Sequence, residues 1–307
     1  MGGFGKLVSD ARVRANVGCV YARSRMVVTG DLLRVNLYPV RRVATSRGIK
    51  KNPSRPAQAE LNRRRAENRA KDIAHLNFPR GSGALWVRLD YDFFIEETGR
   101  NPELAEARKM AKAYLRILKR EYEKRGAEFK YMNFCQRGRK SGKVHHHILL
   151  SGLPAGMKRE DIEALWVHGY GNVVGVKHRN GSIAGLVSYS FKGTDVYYSC
   201  SRNCKRPQEE PYADGSPASV YVRDNMISMR DACYIDENPD DLAFIRKRFP
   251  GYEVSFVKKT PEYIASDDGL GFLPFTGPFV EIELYRREAA DGSAVPRWIT
   301  DKEEGAA

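Results

Sequence analysis

From Ala84 to Phe191 the apolar residues of this chain switch repeatedly between a two-residue and a 3.6-residue repeat, and the order of the switches restricts the folds open to it. Ala84-Leu-Trp-Val-Arg-Leu-Asp-Tyr91 has the make-up of a buried strand. Asn101-Pro102-Glu103 offers a helix N-cap, a proline suited to the first helical position and an acidic first turn; Ala107, Met110, Tyr114, Ile117 and Leu118 then recur at helical spacing as far as Gly126. Phe129-Lys-Tyr-Met-Asn-Phe-Cys-Gln136 and Val144-His-His-His-Ile-Leu-Leu150 read as strands, and the basic, glycine-containing Arg137-Gly-Arg-Lys-Ser-Gly-Lys143 between them predicts a hairpin. Ile162, Leu165 and Trp166 predict a short helix, Val173, Val174 and Val176 a strand, and Ile183, Leu186, Val187 and Phe191 a last helix.

Strand-helix-strand twice over, with the middle strands joined as a hairpin, predicts an α+β fold: a ferredoxin-like antiparallel sheet (split βαβ) with helices on one face and the last helix as an addition. Beyond Pro207 the pattern weakens. Pro211 to Ala218 is turn-rich, Leu242 to Phe249 reads as a helix, Pro278 to Tyr285 alternates like a strand, and the polar tail from Asp301 is expected to fray. Three segments follow from this reading: a basic N-terminal arm over 1–80, a core over 81–207, and a C-terminal extension over 208–307.

The charge is uneven. The chain of 307 residues carries a formal net charge of +14, and residues 41–80 hold 12 basic side chains against the acids Glu60, Glu67 and Asp72. Arg41, Arg42, Lys50 and Lys51 are followed by Arg63, Arg64, Arg65, Arg69 and Lys71, in a stretch that can be helical from Pro56 onward. Such a run can displace counterions from several phosphates and so bind nucleic acid in a salt-sensitive way, or it can be a solvated arm. No stretch approaches a membrane span and the first residues lack the apolar run of a signal peptide. Five scattered cysteines, Cys19, Cys135, Cys200, Cys204 and Cys233, read as reduced thiols. A cytoplasmic protein with no membrane partner is the expectation.

Two constellations carry chemistry. His145, His146 and His147 lie inside an apolar strand, whose two-residue period sends His145 and His147 to one face and His146 to the other. Two imidazoles on one face make half a site for a divalent metal, and Gln136 on the paired strand is the candidate third ligand. The plain alternative is a strand whose histidines are satisfied by hydrogen bonds. The second constellation is Tyr189-Ser-Phe-Lys192: Tyr189 and Lys192 fall about 60° apart on one helix face, opposite the core stripe of Ile183, Val187 and Phe191. Ser182 and Gly185, small and on the Tyr189 face, leave room before the phenol for a phosphodiester. A phenol is almost wholly protonated at neutral pH, so a nucleophilic one needs a metal-polarised phosphoryl group and a nearby ammonium. An ordinary amphipathic helix surface is the alternative.

The basic Leu61-Asn-Arg-Arg-Arg before Leu76-Asn-Phe78, the strand Leu85 to Tyr91, Val144-His-His-His-Ile148, the Trp166 to Gly171 region, Tyr189-Ser-Phe-Lys192 and Ser201-Arg-Asn-Cys-Lys-Arg-Pro207 occur in one order over about residues 56–207. In that order the sequence resembles the rolling-circle replication initiators, the histidine-hydrophobic-histidine (HUH) endonucleases, and more narrowly the replication-associated proteins of phages, prophages and small plasmids. The resemblance implies an HUH-like nicking domain over 81–207. It implies that Tyr189 attacks a phosphodiester of single-stranded DNA to give a 5′-phosphotyrosine and a 3′-hydroxyl that primes replication. It further implies that His145 and His147 hold Mg²⁺ or Mn²⁺ and that Lys192 assists the phenol or the phosphate. Gln136 stands where the family usually has an acid, and Asp90 is a candidate substitute. The family's first motif is commonly threonine-rich, whereas here it is Trp86-Val-Arg-Leu-Asp90. Tyr197 and Tyr198 are rival nucleophiles of lower rank.

Candidate DNA contacts are Arg63, Arg64, Arg65, Arg139, Lys140 and Arg202, with Arg202 equally suited to hold its own loop. His168 and His178 are read as DNA contacts or as ordinary surface histidines, Trp166 as core, and Cys200 with Cys204 as free thiols rather than a zinc site. The expected partners are a single-stranded DNA origin and a host helicase and polymerase; the sequence lacks a G-x-x-x-x-G-K-[ST] loop, so unwinding is expected from another protein. Two other readings stay open: a nucleic-acid-binding protein that kept the fold without the chemistry, and a relaxase-type DNA transfer protein.

Overall fold

The computed structural model describes residues 19–41, 56–178, 182–192, 194–211, 213, 219–224, 226–259, 263–265, 272–274 and 280–287. The expected frayed tail from Asp301, most of the turn-rich 211–218 segment, and Arg42, Lys50 and Lys51 of the basic run lie outside them. In chain order the elements are β1 (Cys19–Thr29), β2 (Leu32–Arg41), α1 (Pro56–Asn77), β3 (Leu85–Leu89), α2 (Asp92–Thr98), α3 (Leu104–Lys124), β4 (Tyr131–Arg137), β5 (Val144–Leu150), α4 (Arg159–Ala164) and β6 (Gly171–Gly175). There follow α5 (Ala184–Ser190), β7 (Thr194–Cys200), β8 (Val220–Asp224), α6 (Met229–Glu237), α7 (Leu242–Arg248), β9 (Tyr252–Lys259), β10 (Tyr263–Ala265), β11 (Phe272–Pro274) and β12 (Val280–Arg286). The fold is α+β. The chain divides into two compact units, Met1–Arg64 with Gln208–Ala307, and Arg65–Pro207.

In the Arg65–Pro207 unit an antiparallel five-stranded sheet has the order β6-β3-β5-β4-β7. The hairpin expected at Arg137–Lys143 joins β4 to β5; it closes through Gly138 N–H donating to the Lys143 carbonyl at 2.9 Å, and Gly142 turns the chain at φ 65°. Leu85, Val87, Leu89, Cys135, Ile148 and Leu150 pack on one face against Tyr114, Leu115 and Leu118 of α3 and Ile162 of α4. Trp86, Met132, Phe134 and Leu149 point the other way, and the structure covers them too: Ala70, Ile73 and Ala74 of α1 and Val187 of α5 bury them. Helices therefore lie on both faces, not on one as the sequence predicts. The second face carries large apolar side chains, which a sheet open to water would leave exposed.

Other boundaries also shift. The α3 N-cap is Glu103 rather than Asn101: Glu103 and Glu106 form a reciprocal capping box, which leaves Pro102 before the helix. A short α2 intervenes after β3, ended by Gly99 at φ 72°. Ser182 precedes α5, so the helical wheel that put it beside Tyr189 does not reach it; it is buried, with its Oγ 3.3 Å from His75 Nε2.

The other unit is a second antiparallel five-stranded sheet, β8-β1-β2-β12-β9, with Met26, Val28, Leu33, Val35, Ile282 and Leu284 packed against Ala232 and Ile235 of α6 and Ile245 of α7. Its strands β1 and β2 come from the segment read as an arm, and they pair with β8 and β12 of the segment read as an extension. The described strands of residues 1–80 and of 208–307 thus share one sheet, and the division between the two units falls within α1, at Arg64. The expected helix at 242–249 and strand at 278–285 are present as α7 and β12.

Candidate active site

Gln136 pairs directly with His145 across the β4–β5 ladder, Arg88 of β3 pairs with His147, and Trp86 pairs with Leu149. Directly paired side chains share a face of an antiparallel sheet. The face under α5 therefore carries Gln136, His145, His147, Trp86 and Arg88 together. The two imidazole centroids are 5.0 Å apart with planes at 85°, and the Trp86 indole lies against His147 at 5.2 Å and 16°. His146 points into the opposite core as its parity requires. It is fully buried, with Nε2 2.8 Å from the Tyr91 hydroxyl and Nδ1 2.9 Å from Asn133 Oδ1.

The donor set suits a divalent cation. His147 is buried, and neither of its ring nitrogens has a hydrogen-bond partner. Burial, with His145 and Arg88 nearby, holds its imidazole neutral and pushes its pKa down to about 3. His145 is lowered by burial as well. His145 Nδ1 lies 3.3 Å from the Lys143 carbonyl, which can only accept, so Nδ1 carries the proton and Nε2 presents its lone pair. The Gln136 side-chain nitrogen meets that lone pair at 3.1 Å, and the amide turned over would present its oxygen to the same place. Among the described residues no three His, Cys, Asp or Glu side chains gather as a metal site, so the set is two imidazoles and one amide. Asp90 is otherwise engaged: its Oδ1 accepts the Tyr170 N–H at 2.7 Å and the Asp92 N–H at 3.3 Å, although its charge still reaches His145. Gly169 permits that arrangement, since a Cβ there would meet Asp90 Oδ1 and the Asp90 carbonyl at 2.5 Å.

Tyr189 comes to this cluster from α5. Ile183, Val187 and Phe191 are buried as the helical stripe predicts, which turns Tyr189 outward, 53% exposed, with its ring centroid 5.4 Å from that of His147. Lys192 lies just past the helix end, where its N–H closes a turn on the Tyr189 carbonyl at 3.1 Å, and its ammonium is 5.9 Å from the centre of the Tyr189 ring. Gly185 faces open space. The helix is tied from below: Ser188 Oγ donates to Glu67 Oε1 of α1 at 2.7 Å, and Glu67 is 3.4 Å from the buried Lys71 ammonium.

Histidines, phenol, amide and ammonium are thus brought together; the other candidates scatter. Arg139 and Lys140 are exposed on the β4–β5 turn, at the end of the sheet where Gln136 and His145 lie. Arg202 follows β7, which pairs there with the opposite end of β4, and its neighbour Asn203 holds the loop through the Phe129 carbonyl at 3.2 Å. Arg65 is exposed on α1; Arg63 and Arg64 belong to the other compact unit. Tyr197 is on the α3 side of β7 under the Arg108 guanidinium, and Tyr198 is half-buried between Phe134 and Phe191. Trp166 is buried and donates to the Asp90 carbonyl at 2.7 Å, as its core reading predicts. His168 sits against the Trp166 ring and His178 Nε2 is 3.1 Å from the Phe78 carbonyl. Cys135, Cys200, Cys204 and Cys233 take part in no disulfide. Sequence reasoning missed Arg88, Glu67 and Ser188; the only hint was an arginine interrupting the apolar Leu-Trp-Val-Arg-Leu strand.

Among the described residues no helix is long and apolar enough to cross a membrane. Comparisons with curated proteins and with solved structures found no match. Residues 85–194, the stretch that contains every member of the imidazole, amide, phenol and ammonium cluster, match the family model described as Replication-associated protein ORF2/G2P.

Proposed function

We propose that this chain is a metal-dependent HUH-type endonuclease and strand transferase that starts rolling-circle replication by nicking and rejoining single-stranded origin DNA. The observation that carries the reading is the approach of the exposed Tyr189 phenol, on a helix, to the buried, unpartnered His147 imidazole, on a strand 42 residues earlier. The family match over the same residues supports it, as does the strand order, in which the four strands β6-β3-β5-β4 follow the fourth-first-third-second order of a split βαβ sheet.

In this reading the Tyr189 oxygen attacks the phosphorus and the bond from phosphorus to the 3′ oxygen breaks. The phenolic proton is lost to solvent, and the departing 3′ oxygen takes up a proton. The product is a 5′-phosphotyrosine whose bond energy is kept for rejoining by a later 3′-hydroxyl. His145, His147 and Gln136 would hold Mg²⁺ or Mn²⁺, which would supply Lewis-acid stabilisation of the phosphate charge. Lys192 adds a positive charge beside the phenol and the phosphate. Trp86 stacked on His147, and the Lys143 carbonyl on His145, fix the two rings.

Gln136 is an uncharged ligand, weaker than a carboxylate for a hard cation, and that favours the second reading, a nucleic-acid-binding protein without chemistry. One experiment separates them. Incubated with a single-stranded oligonucleotide carrying the origin and Mn²⁺, the protein should form a covalent adduct visible on a denaturing gel, abolished by Tyr189→Phe and suppressed by chelation. Adduct persisting in the Phe variant would remove Tyr189 as nucleophile, and salt-dependent binding with no adduct in any metal would establish the second reading.

A further inference from the structure

The face that carries the histidines is covered on only one side of them. Trp86, Phe134 and Leu149 are buried under α1 and α5, but past His147 the same face continues across Arg88 of β3 to Asn172 and Val174 of β6, all exposed. The β3–β6 ladder runs one step further, with Asp90 N–H donating to the Tyr170 carbonyl at 3.1 Å, and Tyr170 is 60% exposed. Its ring meets that of Phe93, 40% exposed on α2, edge to face at 4.7 Å. The basic β4–β5 turn adjoins this pair, because Lys143 reaches Asp92, the neighbour of Phe93, at 2.8 Å. Arg88 pairs directly with His147 across the β3–β5 ladder, so its guanidinium charge stands on the face of the candidate site. Asp92 neutralises Lys143, so the positive charge on this face is that of Arg88, and two large aromatic rings exposed near it form a shelf that suits a flat-faced partner carrying a phosphate.

We propose that this shelf is a stacking platform for single-stranded DNA: an unpaired base lies on the Tyr170–Phe93 pair while Arg88 takes the phosphate that leads towards Tyr189. The occupant is a single strand because a duplex buries its base faces in its own stack, whereas an unpaired base offers one to an aromatic ring. This rests on the nicking reading for the direction of the strand, but not for its binding.

The test is fluorescence anisotropy of a labelled oligonucleotide in chelator, where no cutting occurs, across a salt series, with the full chain. Tyr170→Ala and Phe93→Ala should each weaken single-strand binding about ten-fold without changing the salt dependence, since neither side chain is charged, and Tyr170→Phe should bind like the parent. Arg88→Ala should lower the slope of log affinity against log salt by about 0.7, the value for one phosphate contact on a single strand. Affinity for the matching duplex should not respond to Tyr170→Ala. Parent-like single-strand binding by both alanine variants, an equal loss on duplex, or a Tyr170→Phe variant as weak as Tyr170→Ala would overturn the platform. These outcomes are independent of the adduct assay: an adduct with unaffected shelf variants removes the platform and keeps the nicking, and weakened binding with no adduct does the reverse.

Discussion

At the scale of single residues the three consecutive histidines divide into two kinds by strand parity alone, and the structure gives the division its energetics. His146 is enclosed between Tyr91 and Asn133, while His147 is enclosed with both nitrogens unmatched. Removing one partner from a buried hydrogen bond leaves the other desolvated, at a cost of about 1–3 kcal/mol. His146→Leu should therefore lose about that much stability in urea denaturation, through Asn133. His147→Leu, measured in chelator, should lose less, because it strands no hydrogen-bond partner and gives up only ring contacts, with Trp86, His145 and Tyr189. Equal losses would mean that His147 has a protein partner after all. The separation of His145 and His147 from His146 was legible because β-strand period is a property of the backbone. The neutrality of the rings was not, since it comes from burial by segments far away in sequence.

Among the elements, α1 departs furthest from its sequence reading. Its run of arginines marks it as a solvated arm, yet from Ala70 onward it is a core helix, and its Glu67 holds Ser188 next to Tyr189. Charge is visible in sequence; the few apolar residues that dock such a helix, Ala70, Ile73 and Ala74, are small or sparse and give a weak periodic signal. Because a hydrogen bond to a charged group contributes about 1.5–3 kcal/mol, Ser188→Ala should loosen α5 against α1. We expect adduct formation in Ser188→Ala to slow by roughly ten- to a hundred-fold while oligonucleotide affinity stays at the parent value. An unchanged rate would reduce the Glu67–Ser188 contact to packing. By contrast α5 itself was readable, since Ile183, Val187 and Phe191 are large, apolar and correctly spaced, and burying them turns Tyr189 outward.

For the whole molecule the decisive feature is that one compact unit is made from segments on both sides of the other in sequence, with β1 and β2 in the same sheet as β8, β9 and β12. A two-stranded hairpin is marginal in water. Truncation after Pro207 should therefore release the amides of β1 and β2 to near-unfolded hydrogen-exchange rates, while those of β3, β5 and β4 stay protected; protection retained in β1 would contradict the division into two units. Local pattern could not reveal this pairing, because a strand's partner nearly two hundred residues away leaves no mark on its own periodicity. Apart from the short α2, the sequence by itself determined the strands and helices of residues 85–191, the face that each histidine takes, and the outward turn of the tyrosine, because all of these follow from backbone period and the burial of large apolar side chains. Only the tertiary structure decided that α1 roofs the second sheet face, that Glu67 and Arg88 stand at the site, and that β1 and β2 pair with β8 and β12, because those outcomes depend on contacts between segments whose sequences carry no record of each other.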